Sequence, residues 1–410
     1  MKPAHIRIIE RLLGIPLCFF FTLLRKLGER FFSPQGKVDA VQRILFLKLI
    51  EQGATVLAYP AIQRAAQRVG RENLYFLVFE ENREILEIME LLPKENILSI
   101  RNRSFIVFLV DTLKVLFRLR CLAIDCVVDM EFFSRASALI AYLSGARIRI
   151  GLHRFMSEFP YRGDLMTHRI QYNYYLHTAD TYLLLVESIG LSPDEVPQPK
   201  ISLPATKIQG PSFVPKEEEI AYIRELFSLA HMEVNRERPI IILNPNAGDM
   251  LPLRKWPEEN FLLLGRRLLE DYPDLYLLLT GSPAERDAAE RLCRAFSSQR
   301  VASFAGKTSI RELLTLYTIG DVLVTNDSGP AHFATLTPIH GIVLYGPETP
   351  HLFGARGENI HVLYAKLACS PCVNVFNHRF SPCRDNRCLK AITVEMVYEK
   401  VRECLKARGK

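Results

Sequence analysis

IGDVLVTNDSGPAHFATLTPIHGIVLYGPETP, residues 319–350, decides how this chain folds. Asp321 to Thr325 is a short apolar run rich in β-branched residues. It is bounded by Asn326-Asp327-Ser328-Gly329, so it reads as a buried strand that ends in a turn. A helix is expected at once, with Ser328 as N-cap and Pro330 in the first turn, where its missing N–H costs nothing. A strand, a glycine-containing turn and a helix start together present unpaired backbone N–H groups at a positive dipole end, which suits a phosphate. A second strand, Gly341 to Tyr345, leads into another tight loop, Gly346-Pro347-Glu348-Thr349-Pro350. Two neighbouring strands opening into two turns on one edge form the usual ligand position of an open parallel sheet.

The same alternation fills the rest of the chain. Strands are predicted at 43–48, 74–79, 97–100, 123–128 and 147–151, with helices at 56–69, 83–92, 105–118 and 134–143 between them. Pro60 should kink its helix or mark that helix's effective start. Residues 152–175 are basic and aromatic without a clear period, a helix follows at 177–189, and prolines 193, 197, 199, 204, 211 and 215 crowd a boundary. Strands at 239–243, 275–280, 301–304 and 360–363, with helices at 257–270, 283–296, 310–317 and 394–407, complete a second half. The expectation is two nucleotide-binding folds in tandem with a cleft between them.

Composition agrees with two ordinary globular domains: 410 residues, 49% of them apolar and 24% charged. The net charge of +7 is spread along the chain without a long basic block. It points to an acidic substrate or a membrane surface rather than nucleic acid, and no nucleic-acid-binding motif is present. The apolar run Leu12 to Leu24 is too short to span a bilayer and is broken by Gly14 and Pro16. Arg25-Lys26 follows it without a signal-cleavage pattern. Basic flanks and Phe19-Phe20-Phe21 suit a segment lying in the membrane interface, the alternative being a helix packed on the protein's own surface.

Five cysteines, 18, 121, 126, 293 and 404, are scattered among apolar residues and read as reduced core thiols. Cys369, Cys372, Cys383 and Cys388 cluster with zinc-like pairing but irregular spacing, so a structural zinc competes with packed free thiols.

Several stretches in fixed order, ILFLKL with the Gly53 loop, IGL, HTAD at 177–180, LNPNAG with RKWP, LTGSPAE, TNDSGPAHFA, YGPETP and CSPC, resemble the heptosyltransferase-like glycosyltransferases of family nine. The resemblance covers nearly everything from Arg43 to Arg402. It implies an α/β GT-B fold of two facing Rossmann-like domains with parallel sheets, and an inverting transfer of a sugar, by analogy a heptose, from a nucleotide diphosphate such as ADP-heptose to lipopolysaccharide core or another lipid-linked glycan. The implied organisation is a membrane-associated segment and linker at 1–36, an acceptor domain at 37–205, a nucleotide-sugar domain at 206–392 and a closing helix at 393–410. The implied location is the cytoplasmic side of the inner membrane, with no cofactor required. Carried over by position, Asp327, Ser328, Gly329, Ala331 and His332 would line the diphosphate, Arg254 or Lys255 would neutralise it, and Glu285 would hold the ribose. Ser282-Pro283-Ala284-Glu285 is also a capping box, as is Ser309 with Glu312.

Lys48 and Gly53 fall in the acceptor loop, and here the chain departs from the pattern. The family usually carries Gly-Asp, whose Asp is the proposed base, where this chain has Gly53-Ala54. A sugar hydroxyl still needs a proton acceptor to attack. Glu51 is the first candidate, with Asp129 and Glu131 next. A non-catalytic sugar-nucleotide or glycolipid binder is the alternative that Ala54 makes credible, and a sugar-nucleotide epimerase lacks an evident deprotonating set.

Overall fold

A computed structural model of the protein describes residues 12–31, 40–155, 161–204, 212–234, 237–248, 251–376 and 380–409. The linker read at Ser33–Gly36 lies outside them. The chain divides into two units, residues 1–207 and 208–410.

The first unit is built on β1 (Ile44–Leu47), β2 (Leu74–Phe79), β3 (Ile97–Ile100), β4 (Cys126–Asp129), β5 (Ile148–His153) and β6 (His168–Gln171). All neighbours run parallel in the order β3-β2-β1-β4-β5-β6. Helices cover both faces of such a sheet, so its central strands read as unbroken apolar runs, and every residue of β1 and β2 is buried. Leu47 pairs with Asp129, so Lys48 and Met130 leave the sheet side by side.

Two features differ from the sequence reading. The helix expected from residue 56 begins earlier, as Gln52–Leu57, and a second helix, Tyr59–Val69, takes Pro60 in its first turn. Gly53 and Ala54 therefore sit in a helix rather than in a loop. β6 lies inside the stretch that showed no period. It is a short edge strand with His168 and Ile170 turned inward and Gln171 exposed, too brief for alternation to declare itself. The helix Gly14–Phe31 packs on the first unit. Cys18 is fully buried in that unit's core, Arg25 pairs with Asp164 at 2.6 Å, and the Thr22 hydroxyl accepts from the Asp164 amide at 2.9 Å.

The second unit repeats the design with β7 (Ile240–Asn244), β8 (Tyr276–Leu279), β9 (Val301–Ser303), β10 (Val322–Asn326), β11 (His340–Tyr345) and β12 (Ile360–Tyr364), parallel in the order β12-β11-β10-β7-β8-β9. Trp256, Phe261, Leu277 and Val324 belong to one core cluster on this sheet, and the C-terminal helix Val394–Ala407 adds Val397 and Val401 to it. A helix at Glu217–Leu229, not anticipated from the sequence, opens the unit, its Glu219 carboxylate accepting from the Lys216 amide at 2.8 Å.

The anchoring of helix Gly14–Phe31 turns on Gly163, whose φ is +72°. A Cβ there would lie 2.8 Å from the Cys18 carbonyl oxygen and 2.6 Å from the Thr22 hydroxyl. Gly163→Ala therefore combines left-handed strain with a backbone clash and should destabilise the first unit by about 1–3 kcal/mol. Thermal unfolding that leaves the melting temperature unmoved would show that the helix is not held at this point.

Candidate functional site

In both sheets chain order reverses between two adjacent central strands, β1 and β4 in the first unit and β7 and β10 in the second. The carboxyl ends of such strand pairs are where open α/β sheets hold ligands, and the residues singled out above collect there.

In the second unit the sequence Arg254-Lys255-Trp256-Pro257 sets the geometry. Trp256 is buried in the core with its indole N–H donating to the Ile392 carbonyl at 2.8 Å, and Pro257 starts the helix Glu258–Asp271. The turn before it is pinned by Asn386, which donates to the carbonyls of Leu253 and Lys255 at 3.1 and 2.7 Å. With both sides fixed, Arg254 is held at the ends of β10 and β11. Its Nη1 lies 3.4 Å from Glu348 Oε2 and 3.9 Å from Asp327 Oδ2, and Nη2 reaches the Ala247 carbonyl at 3.4 Å. These are long contacts. Arg254 Nε is buried with no hydrogen-bond partner among the described residues, so the guanidinium keeps unspent donor capacity. Lys255 is tied down through its carbonyl, and among the described residues its side chain makes no hydrogen bond or ion pair.

Asn326, the last residue of β10, stitches this edge together. Its Oδ1 accepts from the Trp256 amide at 2.9 Å, and its Nδ2 donates to the carbonyls of Pro245 and Asn246 at 2.9 and 3.3 Å. Asn246 in turn is buried with its side-chain amide nitrogen unpartnered among the described residues. Gly281 is needed beside it, because a Cβ there would fall 2.8 Å from Asn246 Nδ2 and 3.2 Å from Glu285 Oε2. Glu285 forms the expected capping box, its Oε2 accepting from the Ser282 amide and hydroxyl at 2.7 and 2.8 Å. The Ser309–Glu312 box forms as well.

Ser328 occupies the N-cap of the short helix Gly329–Ala334, yet its hydroxyl donates backward to the Asn326 carbonyl at 3.2 Å instead of capping. The expected cap is thus replaced by a bond that tightens the turn. Ala331 and His332 are buried on that helix, and Asp327 is buried beneath it. Glu348, quoted within the second turn but not singled out, hydrogen-bonds Asp327. Burial pushes the Glu348 carboxyl up to about 8, the adjacent Asp327 adds to this, and Arg254 opposes it. Asp327 is likewise lifted by burial and pulled back by Arg254.

In the first unit the fully buried Lys48 ammonium lies 3.2 Å from Glu51 Oε2 and 3.1 Å from Glu131 Oε2. Glu131 Oε1 accepts from the amides of Leu49 and Ile50 at 2.7 and 3.2 Å, so this carboxylate is committed to holding the loop after β1. Asp129 is wholly buried, paired with Arg162 and hydrogen-bonded to Ser137 Oγ at 2.9 Å and the Glu131 amide at 3.1 Å. Glu51 keeps 17% of its side chain exposed and has a left-handed backbone, φ +74°. Gly53 is buried in the helix that follows. Arg162 was not foreseen, since it comes from a stretch without periodic signal. A cavity of 460 Å³ between Ile44, Ile148 and His168 lies at the opposite, amino-terminal strand ends, away from these groups.

The four clustered cysteines form no disulfide. Burial raises the Cys388 thiol, and the other three cysteines add to this. Cys372 accepts from the Ser381 hydroxyl and Cys383 donates to the Asp385 carbonyl. Among the described residues no three of these sulfurs lie within 4.8 Å of one another. Among the described residues the one group of three donors that close is His340, His361 and Cys404.

The model of glycosyltransferase family 9 (heptosyltransferase) matches residues 113–379. Lipooligosaccharide heptosyltransferase 2 of Campylobacter jejuni is 24% identical over 169 residues, 40% of this chain and 51% of that protein. Lipopolysaccharide heptosyltransferase 2 of Escherichia coli K12 is 27% identical over 177 residues, 42% and 46% respectively. The chain thus spans about half the length of these curated relatives. Among solved structures, E. coli ADP-heptose lps heptosyltransferase II superposes with a TM-score of 0.68 at 18% identity, over 90% of this chain and 100% of that one. E. coli heptosyltransferase WaaC with ADP gives 0.62 at 19%, over 88% and 100%. At such identities the likeness is one of fold, the GT-B arrangement of two parallel α/β sheets.

The Asp327–Glu348 pair makes a pH test. A native Glu348 that keeps its proton to about pH 8 binds more protons than its unfolded counterpart, which releases near pH ~4.3. Its stabilising contribution is therefore complete below about pH 4 and is lost as pH rises toward 8. Glu348→Gln retains a donor to Asp327 but cannot ionise, so the fall in melting temperature between about pH 5 and 8 should become shallower. An identical slope in both proteins would place the titrating group elsewhere.

Proposed function

This chain belongs to glycosyltransferase family 9, the heptosyltransferases, and we propose that it transfers a heptose-type sugar, with inversion, from a nucleotide diphosphate donor of the ADP-heptose kind to a lipid-linked core glycan at a membrane surface. The observation that carries the donor half is Arg254: a partly buried guanidinium at the switch point of the second sheet, loosely held by carboxylates and with Nε unspent. The leaving nucleoside diphosphate gains charge in the transition state, and a fixed cation there stabilises that state more than the bound substrate. The Gly329 amide and the Asn246 side chain would complete the diphosphate cradle beside Asp327, Ser328, Ala331 and His332. Glu285, whose two capping bonds both use Oε2, has Oε1 left for the ribose. The solved relative with ADP supports a donor of this class.

In the first unit Glu51 is assigned the proton of the attacking hydroxyl, because Glu131 and Asp129 are spent on backbone amides and on Arg162. Lys48, 3.2 Å away, orients it. A second reading, a binder without transferase activity, is favoured by one residue, Ala54 in place of the usual acidic side chain. No helix among the described residues is long and apolar enough to cross a membrane.

Three substitutions separate the roles. Glu51→Gln should lower turnover of ADP-heptose and a lipid-linked core acceptor by about 10²–10⁴-fold with donor affinity unchanged. Arg254→Gln should weaken ADP binding by calorimetry about ten- to a hundredfold, whereas Lys255→Ala should leave it near the parent value. Wild-type turnover in Glu51→Gln would remove the base assignment, and a protein that binds ADP yet transfers nothing would favour the binder.

A further inference from the structure

The first unit carries a surface that neither the donor site nor the proton acceptor explains. Among the described residues 25 large hydrophobic side chains are exposed; eight lie on residues 12–27 and six on the helix Phe105–Cys121. The second helix was expected only as the crossover between β3 and β4. Right-handed crossovers place it and the helix Arg135–Leu143 on one face of the sheet. Helix Gly14–Phe31 packs against Arg135–Leu143, as does Phe105–Cys121. No residue of Arg135–Leu143 is exposed. Phe21 from the first helix and Phe108 and Leu116 from the second join the same core cluster as Tyr142. The two helices therefore form one outer layer over one side of the sheet.

Helix Phe105–Cys121 is apolar on two opposite sides. Asp111, Val115 and Leu119 face the unit, while Ile106, Leu113 and Phe117, exposed by 73%, 59% and 72%, stand on the other side at helical spacing. A helix that is apolar all round belongs in an apolar environment, yet this one lies at the surface of its unit. Its one acidic residue, Asp111, is buried and held by Arg101 through two bonds of 2.8 and 2.9 Å. Residues 12–28 contain no acidic residue at all. Lys26, Lys114 and Arg118 are exposed at the margin of this layer.

We propose that helices Gly14–Phe31 and Phe105–Cys121 together form a membrane-docking face that inserts Phe19, Phe20, Ile106, Leu113 and Phe117 into the headgroup boundary of an anionic bilayer. The inference rests on the lipid-linked acceptor proposed above and adds the surface by which the enzyme reaches it. Charge selects the occupant. A second copy of this chain on the same face would bring Lys26, Lys114 and Arg118 against their own equivalents, whereas anionic headgroups attract all three. Large aliphatic and aromatic side chains on one side with cations at the rim match the anatomy of an interfacial helix.

The test uses the full chain and vesicles of phosphatidylethanolamine and phosphatidylglycerol. Wild type should float with them and much less with neutral phosphatidylcholine vesicles. Ile106→Glu/Leu113→Glu/Phe117→Glu should reduce partitioning by about tenfold or more, as should Phe19→Glu/Phe20→Glu, because each puts carboxylates where apolar groups insert. Leu229→Glu/Leu263→Glu, at exposed positions of the second unit, should float as wild type does. All five replaced positions of the proposed face are exposed, and unchanged melting temperatures would confirm that folding is intact. Transfer to a detergent-dispersed acceptor should survive both face variants, while transfer to vesicle-embedded acceptor should fall with flotation. A triple variant that floats like wild type overturns the docking face. So does a wild-type dimer in light scattering that the triple variant converts to monomer, since that would make the face a protein interface. Flotation without transfer to any acceptor leaves the docking face standing and removes the transferase reading instead.

Discussion

A parallel sheet wound outward from its middle sends the two central strands into loops that part toward opposite faces, and the ground beyond their carboxyl ends is left without a covering element. Polar groups stranded there must satisfy one another. Both units meet this constraint with a single side chain reaching back from the later strand to the loop after the earlier one. In the second unit it is Asn326, an amide that bonds Trp256, Pro245 and Asn246 at once. In the first it is Glu131, just past β4, which takes the amides of Leu49 and Ile50 and the Lys48 ammonium. Everything assigned to chemistry is positioned by these two stitches.

Because one stitch is neutral and the other charged, the two edges handle surplus carboxylate differently. Arg254 is the partner of both Asp327 and Glu348, and a second buried negative charge near one cation is costly. The second unit resolves this by keeping a proton on Glu348, pushed up to about 8. In the first unit Lys48 also meets two carboxylates, but one of them, Glu51, keeps part of its side chain in contact with solvent. The carboxylate outside the stitch is thus the one with exposed side-chain surface.

The two tandem halves were legible because buried parallel strands are apolar on both faces and so stand out as continuous runs. β2 and the C-terminal helix Val394–Ala407 have the bounds read from the sequence. β6 was not legible, because an edge strand of four residues with one exposed end carries no run and hardly any alternation. The turn that holds Asp327 and the capping box that holds Glu285 could be read from local spacing. The partners that define their electrostatics could not. Arg162 lies 33 residues from Asp129 and Glu348 lies 94 from Arg254, so their pairing exists only once the sheet is assembled. Ser328 shows the reverse case, since local propensity named the N-cap position but the hydroxyl takes the Asn326 carbonyl that the turn brings within reach.

Glu51 is where the two readings of function separate, and its backbone is informative. A φ of +74° costs a residue with a Cβ about 1–3 kcal/mol, which a Gly or Asn at the same place would largely avoid. The side chain does not recover this by capping the helix Gln52–Leu57, because no side-chain cap bond is made. What the conformation does achieve is to carry a carboxylate to Lys48 at 3.2 Å, at the strand-order switch of the first sheet and three residues before Ala54. Charge compensation alone does not require it, since Glu131 already lies 3.1 Å from the same ammonium. On the proposed reading this left-handed glutamate supplies the carboxylate for proton transfer, so the base lies within the first loop, three residues before Ala54, instead of being absent as in a binder.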